Sequence, residues 1–265
     1  MHVLGKGRVS IADVQVGDLV LTAGASGKDE HYESVYALGH YDTKSKGQYI
    51  QFHFAGDSLP LEVTAEHLVF LKGNINPVRA DSVKVGDIVQ GTGLDANEFD
   101  FRVKKIRTLK RNGLYNPLTP SGTLIVNDGV VASTYISLSK SVDYFGGAMG
   151  VMSHQTYVHW MLAPFRLLCM GVSPSICNAS LDEHGIPHYI SFGMALHKLV
   201  QKQNSFVQMI FFGIVTMLCG ICLLIETVFG ASVGPITFLF LTITGVIVWK
   251  MAKNGYRGNT KLKTA

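Results

Sequence analysis

No cysteine precedes Cys169; all four of the chain's cysteines, Cys169, Cys177, Cys219 and Cys222, fall in its last hundred or so residues. None has the companions of a zinc site, so neither a metal nor any other cofactor is expected. The sequence also lacks a basic face interleaved with aromatics, which excludes the usual equipment of a nucleic-acid binder. The net charge of +4 is modest, and much of the excess belongs to Lys250, Lys253, Arg257, Lys261 and Lys263 near the C-terminus. A signal peptide is missing: Met1 runs at once into His-Val-Leu-Gly-Lys-Gly, with no apolar stretch of the needed length. Charge itself is scarce in one region. Between Phe206 and Met251 only Glu226 and Lys250 carry it.

That region holds two runs, Phe206 to Val228 and Val233 to Met251, each close to the roughly 20 residues that cross a bilayer. A soluble core helix is seldom apolar on all faces for so long. The short link Phe229 to Ser232 makes the pair a transmembrane hairpin with both chain ends on one side. Cys219 and Cys222 form a C-x-x-C inside the first run, where small, polarizable packing suits them better than redox work. Two helices leave little room for a transport pore, and no charge deep in them marks a path. Sidedness stays open. Lys198, Lys202 and the basic tail put both ends in the cytosol by the positive-inside rule. The sequon Asn178-Ala179-Ser180, useful only in a lumen, argues the other way. Cys169 and Cys177 could pair in an oxidising lumen, but the sequence alone does not decide it.

The part before Lys202 has few long runs of helical period. Short segments rich in Val, Ile, Tyr and Phe, such as Tyr49 to Phe54 and Thr123 to Val126, alternate with Gly, Asp, Asn and Pro. This pattern predicts many short strands and an all-β domain. Two segments repeat: Ile11 to Val20 reads IADVQVGDLV, and Arg79 to Val89 reads RADSVKVGDIV. The shared Gly-Asp fits a tight turn opening a strand, because Gly accepts positive φ and Asp bonds nearby backbone. Two such turns, each behind the same short amphipathic segment, predict two similar β subdomains related by a pseudo-twofold axis.

Val63-Thr64-Ala65-Glu66-His67-Leu68-Val69-Phe70 resembles the T-x-x-H block of Hedgehog and intein domains, and Arg79 to Val89 is similar to the Gly-Asp turn that follows it there. Gly113 to Thr119 and Gly122 to Asn127 resemble the Hedgehog signature "APLT…GTIVVN". Val131-Ala132-Ser133-Thr134-Tyr135 looks like the "ASCY" that closes the fold. Val158-His159-Trp160 and Leu162 to Leu167 look like the Hedgehog segment just past it. In order and spacing the resemblance covers more than half the chain. It identifies the chain as similar to the Hedgehog C-terminal autoprocessing domain, the Hint (Hog, intein-like) type. It implies an all-β horseshoe of duplicated subdomains.

What the resemblance implies about chemistry is an intramolecular N-to-S acyl shift. An N-terminal cysteine attacks the preceding carbonyl, and the chain's own upstream segment is the substrate. His67 would protonate the departing amide nitrogen, work that suits imidazole near neutral pH. Thr64 would hydrogen-bond near the scissile peptide and hold it strained. Asp42, at close to the matching distance before Thr64, would activate the hydroxyl of a sterol or lipid acceptor, whereas inteins resolve the thioester differently and go on to protein splicing. Each residue also has a plainer role open to it: Thr64 ending a strand, His67 satisfied in a core, Asp42 in an ordinary polar turn, His40 on the surface.

The chain departs from that pattern in three places. The family opens with a Cys-Phe block ahead of the segment that matches His2-Val3-Leu4, and this chain starts inside it. No cysteine present can substitute, since the nucleophile must follow the scissile bond directly. Thr134 stands where Hedgehog proteins carry cysteine, and a residue is added near Asp128-Gly129. Either Met1 is an internal methionine of a longer precursor, as a first strand cut mid-way suggests, or the protein is a Hint remnant used as a membrane-anchored interaction or tethering module. The expected organisation is a Hint domain over 1–144, a Hedgehog-like connecting region over 145–204, and a transmembrane hairpin with basic tail over 205–265. Membrane lipid is the expected environment of the last part, within the secretory pathway.

Overall fold

The computed structural model describes residues 1–56, 58–74, 76–92, 101–127, 129–137, 153–171, 177, 181–200 and 202–229. Its spine is two strands of 18 residues each, β5 (Ala37–Phe54) and β10 (Phe101–Leu118), paired antiparallel from Phe54↔Val103 to Ala37↔Leu118. Three register shifts interrupt this ladder, and such bulges let a long pair bend and twist without parting. The sequence pattern predicts many short strands, and these two are long. The polar middles of these two strands, such as Asp42 to Lys46, look like loops by composition because most of their side chains face water.

Three four-stranded sheets build on the spine. The first joins β2 (Gly7–Arg8), β1 (His2–Val3), β3 (Leu19–Thr22) and β4 (His31–Ser34) in that order. The second runs β6 (Leu61–Val63), β5, β10, β9 (Ile88–Val89). The third runs β11 (Thr123–Val126), β12 (Val130–Ile136), β7 (His67–Val69), β8 (Val78–Arg79). Phe52, Phe101, Val89, Val103 and Val130 centre one core; Met1, Val3, Val20, Val35 and Leu124 form another.

The two Gly-Asp turns repeat hydrogen bond for hydrogen bond. Each follows a three-residue 3-10 turn, at Ile11–Asp13 and Ala80–Ser82. Gly17 N donates to Val35 O and Val35 N to Asp18 O; Gly86 N donates to Val103 O and Val103 N to Asp87 O. Asp18 Oδ2 accepts from Gln15 N at 3.0 Å, as Asp87 Oδ2 does from Lys84 N at 2.8 Å. Both glycines sit at positive φ, +92° and +101°, where a Cβ would be strained. A duplicated structural unit requires this correspondence, and the sequence repeat predicted it.

Helices follow the sheets: α1 (His154–Met161), α2 (Ala163–Gly171), α3 (His188–Val200) and α4 (Ser205–Phe229). Ser153 caps α1 by accepting from Thr156 N at 3.1 Å. Leu162, Phe165 and Cys169 share a core with Tyr36, Ala37, Leu68, Leu118 and Tyr135 of the sheets, so α1 and α2 are built onto the β domain. Cys169 and Cys177 form a disulfide, while Cys219 and Cys222 are buried thiols. One face of α4 meets α1 and α2: Cys222 is buried against Ala163 and Leu167, and Gly220 lies beside Trp160. Phe206, Met209, Met217 and Leu224 of α4 are exposed. This helix is long and apolar enough to cross a membrane. The expected second helix, Val233 to Met251, the sequon at Asn178 and the basic tail lie outside the described residues.

Candidate functional site

Thr64 lies in the turn between β6 and β7, and His67 opens β7. His67 N donates to Thr64 O at 3.1 Å, so the T-x-x-H spacing closes a single turn. Leu68 and Val69 behind it are buried and fix β7 between β12 and β8. The turn is tied down from outside. Asp81 N donates to Ala65 O, and Ser137 N donates to Glu66 O. Arg79 bonds both the Asp81 carboxylate, at 2.8 and 3.0 Å, and the Ser137 carbonyl, at 3.0 Å.

The His67 ring is held by backbone. Its Nε2 lies 2.7 Å from the carbonyl oxygen of Ser133. A carbonyl can only accept, so Nε2 carries the hydrogen and a neutral ring has Nδ1 as its open base. Among the described residues nothing hydrogen-bonds Nδ1. Burial pushes the imidazole below its ordinary range, and the Ser133 bond offsets this in part. Near pH 7 the ring is therefore a neutral imidazole, able to take a proton at Nδ1 and give it back.

The Ser133 carbonyl reaches the ring because β12 is irregular there. Ala132 pairs with Val69 and Ile136 with His67, so Ser133, Thr134 and Tyr135 stand opposite the single residue Leu68. The surplus takes Ser133 out of register with β7, as a β-bulge does, while it stays paired with Thr123 of β11. The chain's start lies on the same sheet. Met1 is buried against Leu124, whose ladder partner Ala132 is in turn the partner of Val69. The Met1 amine donates to Val9 O at 2.9 Å.

Asp42 lies elsewhere. It sits within β5 opposite Leu114, and its Oδ1 accepts from Lys44 N at 2.8 Å and Ser45 N at 3.0 Å. These bonds, with one from the Ser45 side chain the largest cause, pull its carboxyl down to about 2. Tyr41 N donates to Gly185 O at 2.8 Å, so the connection between α2 and α3 runs past Asp42. Ala37 shares a core with Leu68, and Asp42 is five residues further along β5, about 16 Å of extended strand. The structure thus joins Thr64 to His67 by a hydrogen bond and holds Asp42 in a turn of its own with Lys44 and Ser45. His40 lies two residues before Asp42 and pairs with Asn116.

The groups around the bulge belong to none of the motifs singled out in the sequence as catalytic. Ser133 Oγ donates to Gln155 Oε1 at 2.6 Å and accepts from Tyr135 N at 2.9 Å. Tyr135 Oη lies 3.0 Å from His159 Nδ1. Arg166 Nη2 approaches His159 Nε2 at 3.3 Å, and its guanidinium pairs with Glu226 at 2.6 and 2.7 Å. One signal was available. Arg166 lies in an apolar helix and Glu226 is the one acid of the long apolar run, and such residues want each other. Thr134, where the resemblance expects cysteine, has a buried hydroxyl with no partner among the described residues. A thiol there would not carry that desolvation cost.

A model of the Hint module matches residues 1–202. Among curated proteins, the Tiggy-winkle hedgehog protein of Danio rerio is 29% identical over 214 residues, 77% of this chain and 48% of that one. Protein hedgehog of Drosophila melanogaster is 26% identical over 208 residues, 72% of this chain and 40% of that one. The chain thus spans less than half the length of these relatives. Among solved structures, a bacterial intein-like domain from Clostridium thermocellum aligns at TM-score 0.38 and 19% identity, over 49% of this chain and 89% of that one. A DnaB intein from Synechocystis aligns at TM-score 0.39 and 12% identity, over 51% and 94%.

Proposed function

The chain belongs to the Hint module family, and on that premise we propose that its β domain, over 1–144, catalyses an intramolecular N-to-S acyl shift at a cysteine of a Cys-Phe block several residues ahead of His2. The observation that carries this is the His67 ring, tethered through Nε2 with Nδ1 open. Neutral Nδ1 takes the proton of the cysteine thiol. The thiolate adds to the preceding carbonyl carbon, and as the C–N bond breaks the nitrogen recovers that proton from Nδ1. The products are a thioester on sulfur and a free amine. Thr64, one turn from His67, holds the scissile peptide. Neither role needs a metal or cofactor.

Resolution of the thioester falls to an acceptor. A sterol or lipid hydroxyl fits the Hedgehog resemblance, with Asp42 as the group that engages it. A carboxylate held at about 2 is a weak base, so this role asks Asp42 to leave the Lys44–Ser45 turn or to act by orienting the hydroxyl. The connecting region 145–204 lies between this step and the membrane. We assign α4 and the run Val233 to Met251 to a two-pass hairpin, with the β domain in the secretory lumen. The Cys169–Cys177 disulfide supports that side, since such bonds persist in oxidising compartments.

Restoration tests the proposal. A Cys-Phe leader placed before His2, behind a reporter domain, gives thiol-induced release of the reporter. Thr64→Ala slows it. Asp42→Ala spares thiol-induced release and removes release that depends on sterol. A folded, restored chain that releases nothing contradicts the proposal and leaves the tethering module in its place.

A further inference from the structure

His67 depends on an irregular piece of strand, and irregular strand needs something to hold it. Ser133, Thr134 and Tyr135 oppose one residue of β7, so on that side no ladder pairing fixes the direction of the Ser133 carbonyl, although Ser133 stays paired with Thr123 of β11 on the other. The holders are on α1. Gln155 accepts from Ser133 Oγ at 2.6 Å and donates from Nε2 to Gly122 O at 3.0 Å. Gly122 O also accepts from Thr134 N at 2.9 Å, within the same bulge. His159 lies one helical turn after Gln155, hence on the same face of α1, and meets Tyr135 Oη at 3.0 Å. Both ends of the irregular segment are therefore bonded to one helix face.

That face is itself anchored. Arg166 Nη1 donates to the His159 carbonyl at 3.2 Å and Nη2 reaches His159 Nε2 at 3.3 Å. A guanidinium only donates, so Nε2 is the acceptor and Nδ1 carries the hydrogen that Tyr135 Oη receives. Arg166 is fully buried and is held in turn by Glu226 of α4. Glu226, Arg166, His159, Tyr135, Ser133 and His67 follow one another by hydrogen bonds.

We propose that Gln155 and His159 are positioning residues for His67: α1, a helix outside the β domain, sets the tautomer and direction of the ring by holding the β12 bulge. This rests on the reading of His67 as the proton carrier. It makes the Hint chemistry of this chain depend on a helix beyond the β domain, and it explains why α1 and α2 are packed into the sheet core.

The test is nitrogen NMR of the full chain in lipid nanodiscs, with histidine ring nitrogens labelled. At pH 7 His67 shows a single Nε2–H tautomer. Gln155→Ala leaves the amide spectrum of the Phe52–Phe101 core in place but converts the His67 signals to a mixture of tautomers. Ser133→Ala, which deletes the same link from the strand side, does the same. The double variant is no worse than either single one, as members of one link must behave. His184→Ala, in the exposed turn before α3, changes nothing. His67 signals that stay in one Nε2–H tautomer in both single variants overturn the proposal, as does any other tautomer in the parent chain. In a chain carrying the restored Cys-Phe leader, each single variant lowers thiol-induced release by about tenfold, the scale of a misplaced catalytic group. A tautomer change without that loss leaves the positioning intact and removes His67 from the chemistry. A loss without a tautomer change overturns the positioning.

Discussion

Arg166 and Glu226, sixty residues apart, form a two-point ion pair at 2.6 and 2.7 Å, with the arginine fully buried between the β domain and α4. The pair makes α4 part of the same body as the sheets at its C-terminal end, while the helix's other faces stay apolar and exposed. Removing one partner leaves a buried charge alone. Glu226→Ala is expected to destabilise the chain by about 3 kcal/mol or more. Arg166→Met with Glu226→Met costs less than Glu226→Ala. Denaturant midpoints in detergent solution measure both. A Glu226→Ala cost below the double variant's would show that the pair is not formed.

His159 makes stability depend on pH. Burial first, then Arg166 beside it, pull its pKa to about 4. Tyr135 and Arg166 are the groups that face it, with Glu226 behind the arginine. Because the folded value lies below the unfolded one, near 6.5, the unfolded chain takes a proton that the folded chain refuses. Stability is complete above about pH 6.5 and falls as pH drops towards 4, by roughly 3 kcal/mol over that window. His67 contributes in the same direction. The difference in midpoint between the parent and His159→Gln should shrink on acidification. A difference independent of pH contradicts this.

Thr134 carries a buried hydroxyl with no partner among the described residues. Thr134→Val keeps the shape and deletes the unsatisfied group, so it should stabilise by about 1 kcal/mol. Thermal unfolding decides the sign, and a clear loss of stability would reveal a partner for the hydroxyl.

The Cys169–Cys177 disulfide closes a short loop, eight residues in separation. Cys177→Ala should therefore cost roughly 2 to 3 kcal/mol. Chain made in cells and alkylated before any reduction should block two cysteines, Cys219 and Cys222, out of four. Four blocked cysteines would place this region in a reducing compartment.

Much of this was legible in the sequence, for physical reasons that differ by element. The paired Gly-Asp turns were readable because positive φ and Asx bonding demand particular residues, and the structure repeats their hydrogen bonds at Gly17 and Gly86. The Thr64–His67 turn was readable because its four-residue spacing is local. The 18-residue lengths of β5 and β10 were not, since their solvated middles have loop composition. The Ser133–Gln155 link was hidden because it joins two ordinary polar residues whose proximity only the bulge and the packing of α1 create. Asp42 was chosen by distance along the chain, which does not report the Lys44–Ser45 turn that holds it.

The central claim is that His67 is a proton carrier aimed at the chain's start. Its most direct test is the rate of thiol-induced release from the leader-restored chain, measured beside His67→Ala with folding checked in both. The account predicts release in the parent and a loss of at least about a hundredfold in His67→Ala, the scale of a missing general acid–base group. Equal rates in the two would contradict it.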